Sequence, residues 1–138
     1  MNVVNVLYKM SEFENVPIAE GDPLVAGTSQ EDFVISNNEI WRIARVCGST
    51  NEEYVKLSLQ YSEDAGNTYI NPYDDMSSSL SIFYLTKGGL SMDHFDEDTF
   101  EFVGDGTNKI IRILIENYNT TTTINATVCI QGLKGYKN

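Results

Sequence analysis

Val55, Leu57, Leu59 and Tyr61 alternate with Tyr54, Lys56, Ser58 and Gln60, so an extended chain here turns four apolar side chains to one face. A helix would need its apolar positions every three or four residues instead, so this segment reads as a half-buried strand. Thr123 to Gln131 repeats the pattern, with Ile124, Ala126, Val128 and Ile130 on one face and Thr123, Asn125, Thr127, Cys129 and Gln131 on the other. Trp41 and Ile43 share a face while Ile40, Ala44 and Val46 share the opposite one, which predicts a central strand covered on both sides with Trp41 as a core anchor. Phe33 to Ile35 and the apolar run Leu80 to Leu85 add two more strands, the second ending at the turn Thr86-Lys87-Gly88-Gly89.

Phe100 and Phe102 point one way, and Gly104-Asp105-Gly106-Thr107-Asn108 then leads into Lys109 to Glu116, which reads as a hairpin; Lys109 to Gly132 reads as a terminal hairpin. No segment makes a convincing helix of three turns. The fold expected is all-β, an antiparallel β-sandwich of jelly-roll-like form with about eight strands. Before it, Val3, Val4, Val6 and Leu7 suggest a short strand, and Pro17, Gly21, Pro23 and Gly27 break the chain beyond that strand into irregular structure. The expected organisation is an irregular N-terminal arm over 1–30 and a β-sandwich domain over 31–138.

Twenty acidic residues against nine basic ones give a net charge of −11, which repels phosphate backbones and argues against a nucleic-acid partner. Arg42 and Arg45 lie close together, but no aromatic residues interleave with basic ones to suggest a groove. No apolar run approaches the roughly 20 residues of a membrane-spanning helix, and Met1 to Met10 lacks the basic start of a signal peptide. Synthesis in a cytoplasm without a membrane partner is the expectation. Cys47 and Cys129 could face each other across a sheet, yet two thiols in such a chain read as reduced core residues. The triplets beginning at Asn119 and Asn125 match glycosylation sequons but are common in Thr-rich strands.

Ser62-Glu63-Asp64-Ala65-Gly66-Asn67-Thr68-Tyr69 fits Ser-x-Asp-x-Gly-x-Thr-aromatic and resembles an Asp-box hairpin. The resemblance implies structural roles for Ser62, Asp64, Gly66, Thr68 and Tyr69: the Asp accepts hydrogen bonds from turn amides, the Gly takes a positive φ, and the aromatic packs beneath. The motif occurs once, which excludes a propeller of repeated blades. Overlapping its end, Tyr69, Asn71, Tyr73 and Asp74 mix aromatic, amide and carboxylate groups as a sugar-binding loop does. Asp93, Asp96 and Asp98 offer oxygen ligands suited to calcium, although without EF-hand spacing. His94, the single histidine, sits among carboxylates with no nucleophile beside it in sequence, so an enzyme is not expected.

The broken N-terminal segment, the Asn- and Thr-rich strands and the box-bearing run from Trp41 to Tyr69 resemble small virion surface proteins of tailed bacteriophages, of the capsid-decoration or auxiliary type. That resemblance implies a non-enzymatic particle protein, often a homotrimer, which decorates or stabilises the capsid through its N-terminal arm or one end of the sandwich. Its partners would be capsid or other virion proteins. The alternative is a carbohydrate-binding module, or a virion protein that binds host-surface glycans.

Overall fold

The computed structural model describes residues 2–70, 80–95 and 100–137, and these form strands, turns and loops with no helix. Nine strands run in order: β1 (Asn2–Val16), β2 (Gly27–Val34), β3 (Glu39–Thr50), β4 (Val55–Ser62), β5 (Ser81–Tyr84), β6 (Ser91–His94), β7 (Glu101–Val103), β8 (Ile110–Asn117) and β9 (Ile124–Tyr136). One sheet has the order β1-β9-β3-β6, with β7 also paired to β3, and the other has the order β2-β8-β4-β5. Every strand pairing among them is antiparallel.

The topology is a long hairpin rolled up on itself. Its innermost rung is β4 with β5, then β3 with β6, then β2 with β8, and last β1 with β9. Successive rungs alternate between the two sheets, which is jelly-roll topology. Short β7 is an addition on the flank of β3. The sheets pack their inner faces together, as amphipathic strands require.

The core lies between them. Val55, Leu57, Leu59 and Tyr61 all point inward and are buried, and β8 sets Ile115, Ile113 and Ile111 directly beside the last three. From the other sheet come Trp41, Ile43, Val46, Ile124, Val128 and Ile130. The Tyr61 ring, 4.3 Å from that of Phe102, joins the two layers. Each fully buried side chain of this kind contributes about 1.5–3 kcal/mol of transfer free energy.

Three expectations need correction. Residues 2–16 are not an irregular arm: they form a 15-residue strand against β9. Its inward row runs Leu7, Lys9, Ser11, Phe13, and Lys9 lies with its Nζ 5.4 Å from the Trp41 ring centre. Polar residues on the inward row erased the alternation that would have marked the strand. The segment after Phe102 is not a hairpin, because β7 belongs to the β3 sheet while β8 belongs to the other, and β8 and β9 likewise lie in different sheets. In a rolled topology the chain crosses between layers where a local reading folds it back. The described residues hold nine strands, in keeping with the count of about eight expected from sequence.

Third, Val46 does not share a face with Ile40. The ladder between β3 and β9 shifts by one residue between Ile43 and Arg45, and such a bulge turns the residues beyond it over. Trp41 and Ile43 before it and Val46 after it therefore all reach the core. Gly132 faces the bulge at a place where a Cβ would stand 1.8 Å from the Arg42 carbonyl oxygen. Only glycine admits that approach.

Candidate functional site

The turn after β4 is built around Asp64. Its Oδ1 accepts the Thr68 N–H at 2.8 Å and the Ser62 hydroxyl at 2.8 Å, and its Oδ2 accepts the Thr68 hydroxyl at 2.6 Å. Ser62 Oγ in turn accepts the Gly66 N–H at 2.9 Å. Gly66 has φ 88° and Ala65 φ 59°, so two consecutive left-handed residues reverse the chain, and Ile70 returns its N–H to the Tyr61 carbonyl at 2.7 Å. The hydrogen bonds from Thr68 and Ser62 hold the Asp64 carboxyl down at about 2. The side-chain oxygens of Ser62, Asp64 and Thr68 are all engaged within the turn, which makes it a rigid support.

A second turn of the same kind lies against it. Asp105 Oδ1 accepts the N–H groups of Thr107, Asn108 and Lys109, and these backbone bonds hold its carboxyl far below the usual carboxylate range. The Ala65 N–H donates to the Asn108 carbonyl at 3.0 Å, tying the two turns together at one end of the sandwich.

Tyr69, placed by sequence in both the turn and a sugar-binding loop, belongs to the turn. Its hydroxyl oxygen lies 3.1 Å from the place a Cβ on Gly66 would occupy, and the Arg112 guanidinium sits 3.9 Å from its ring centre. Arg112 is itself clamped by Asp32 at 2.7 Å. Asn71, Tyr73 and Asp74 lie outside the described residues. Asp93, expected in a calcium-binding loop, is on strand β6, where its Oδ2 accepts the Ser81 hydroxyl at 2.6 Å. Asp96 and Asp98 lie outside the described residues.

The structure gathers another set of residues, on the outer face of the β1-β9-β3-β6 sheet. A cavity of about 520 Å³ is lined there by Val6, Tyr8, Arg42, Arg45, His94 and Gln131, among others. Tyr8 pairs with Gln131, Gln131 with Arg45, and Arg45 with His94, so these four form one line across four strands. Next to it Val6, Leu133 and Arg42 form a second line. The Arg45 guanidinium donates to the Gln131 side-chain oxygen, and Arg42 Nε donates to Glu101 at 2.5 Å.

The bulge makes this surface. In an unbroken strand residues three apart face opposite ways, so Arg42 and Arg45 would lie on opposite faces of the sheet. The extra residue at Ala44 returns both to the outer side, with Ile43 and Val46 inward. Sequence reasoning noted the two arginines as neighbours and passed over Tyr8, Gln131 and Leu133. Gly132 within an otherwise alternating strand was the signal that could have been followed.

The cavity is amphipathic. Apolar Val6 and Leu133 are exposed beside cationic Arg45, on a protein whose net charge is −11. Such a surface can hold a partner group that is partly apolar and partly anionic or hydroxylated. No protein-family model, no curated protein and no solved structure matches this chain.

Proposed function

We propose that the protein is a non-enzymatic structural subunit of a phage particle, which decorates or stabilises the capsid and docks through β1. The observation that carries this reading is the exposure of β1. It is an edge strand of 15 residues, paired only with β9 among the described strands, and it shows Val6, Tyr8 and Met10 each at least half exposed. A long open edge with apolar side chains invites a further strand or a neighbouring subunit, and isolated proteins usually blunt such edges. The N-terminal segment thus keeps the docking role assigned to it from sequence, as a strand in place of an arm. A jelly roll is an architecture that capsid proteins use, and the rigid pair of Asp turns suits a part that bears load.

Light scattering across a dilution series tests this. A symmetric oligomer, a trimer in the simplest case, is expected for the unmodified chain, and Tyr8→Lys on the open edge should dissociate it. A monomer that also fails to bind assembled capsid shells would reject the role.

The outer-face cavity favours a second reading, a glycan-binding surface, since Tyr8, Gln131, Arg45 and His94 combine an aromatic ring with donors and an acceptor. Lectin domains also use the jelly roll. A glycan array that includes acidic sugars separates the two readings: binding lost in Arg45→Ala supports this one, and an empty array removes it.

A further inference from the structure

The line of residues beyond Tyr8 and Arg45 on the same outer face consists of sulfur. Met10 pairs with Cys129, Cys129 with Cys47, and Cys47 with Met92, on the adjacent strands β1, β9, β3 and β6. Directly paired residues share a face, and Met10 and Met92 are exposed, so all four side chains stand on the outside of the sheet. Both cysteines of the chain and two of its four methionines therefore fall in one row. The Tyr8 hydroxyl reports how close they are: it lies 3.4 Å from Cys129 Sγ and 3.8 Å from Met10 Sδ.

We propose that Cys47 and Cys129, flanked by the thioethers of Met10 and Met92, bind a soft monovalent cation, copper(I). Two thiolates exclude hard cations, which need oxygen, and the thioether neighbours favour copper(I) over zinc, whose structural sites take four ligands drawn from thiolate, imidazole and carboxylate.

The pairing geometry favours a shared ion over a disulfide. The Asn51 N–H donates to the Asn125 carbonyl, and the register continues unbroken from Thr50 with Ala126 to Cys47 with Cys129. Hydrogen-bonded pairs recur every second residue, so Cys47 and Cys129 form one, with Cα atoms about 5.5 Å apart. On the β6 side the Phe95 N–H donates to the Ala44 carbonyl, which sets the opposite phase and makes Cys47 with Met92 a closer, non-hydrogen-bonded pair. Hydrogen-bonded pairs keep their Cβ atoms near the upper end of the cross-strand range, about 5.5 Å, whereas a disulfide needs roughly 3.5–4.5 Å. An ion about 2.3 Å from each sulfur bridges that wider gap.

Binding replaces two thiol protons with one copper(I) ion, so two protons are released and the centre carries one negative charge. Arg45 lies in the neighbouring row on the same face, where its guanidinium offsets that charge. Cys47 is buried whereas Cys129 is half-buried, so the ion enters from the Cys129 side.

Anaerobic titration of the full chain against copper(I) held by bicinchoninate, a coloured chelator, tests the site. One equivalent should transfer to the protein. Cys129→Ser and Cys47→Ser should abolish transfer, and Met10→Leu should weaken it about tenfold, a change of about 1.4 kcal/mol. Circular dichroism checks that each variant folds; Met10 is exposed, so Met10→Leu keeps the test valid if Cys47→Ser does not fold. No transfer from the chelator, or transfer unchanged in Cys129→Ser, would overturn the proposal. So would ready closure of an intramolecular disulfide by glutathione disulfide, detected as the loss of two hydrogens in the intact mass.

Discussion

Asn117 accepts two hydrogen bonds from Asn119 through its side-chain oxygen, one from the backbone N–H at 2.8 Å and one from the side-chain amide at 2.9 Å. Its own side-chain nitrogen donates to the carbonyls of Val16, Pro17 and Thr122 at 3.3, 3.0 and 2.9 Å, and Asn119 reaches on to the Glu53 carbonyl at 2.7 Å. The pair thus fastens three crossings between the sheets, those after β1, β3 and β8. Asn117 is completely buried, so its side-chain amide depends on these protein partners in place of water.

Asn117→Ala should therefore destabilise the protein by about 2–4 kcal/mol, because it leaves the buried Val16 carbonyl without its donor and unfastens the three connections together. Asn117→Asp should not rescue it, since a carboxylate would face three carbonyl oxygens. Urea unfolding of both variants, with an unchanged slope, checks the prediction.

The two Asp turns predict loss of stability in acid. Asp64 is held at about 2 and Asp105 far below the usual range when folded, whereas both titrate near 3.9 when unfolded. A carboxyl depressed by folding stabilises the fold above its unfolded value and ceases to do so as pH falls through its folded one. Melting temperature should fall from about pH 4 downward, and Asp64→Asn should be destabilised at neutral pH but converge on the unmodified protein near pH 2. Thermal melts across that range decide it.

Gly132→Ala should cost about 3 kcal/mol or more, since its Cβ would collide with backbone that cannot move away cheaply. The same substitution should disturb the outer-face cavity, because the bulge that it opposes sets the direction of both Arg42 and Arg45. Chemical denaturation gives the first effect, and loss of any ligand found for the cavity gives the second.

On strand β8, Ile113 has no exposed surface, whereas Ile82 on β5 is 53% exposed. Truncation to alanine should cost about 2–5 kcal/mol at Ile113, by lost burial and an unfilled cavity. At Ile82 the change should stay within about 0.5 kcal/mol. A common denaturation assay separates them.

The sandwich was legible wherever one strand face is uniformly apolar, as at Val55 to Tyr61 and Ile124 to Ile130. Where an inward row mixes in a lysine and a serine, as at Lys9 and Ser11, the pattern fell below recognition although the strand is the longest of the nine. The Asp64 turn was readable in detail because all its bonds are local. The row Tyr8, Gln131, Arg45, His94 was not, because four strands distant in sequence supply it and a one-residue bulge aligns it. Local chemistry shows in a sequence, whereas alignment across a sheet depends on register.

The register of the outermost rung has a consequence for how the chain comes to be folded. Asn2 pairs with Tyr136, and β9 lies between β1 and β3. The β1-β9-β3-β6 sheet has no centre until its final strand arrives, and that strand closes a loop of almost the whole chain. Contacts of such long separation form slowly. On a ribosome, β1 would wait unpaired, and β3 joined only to β6 and β7, until translation reaches β9, and the ninth strand would be the one that turns two separate pieces into a wall.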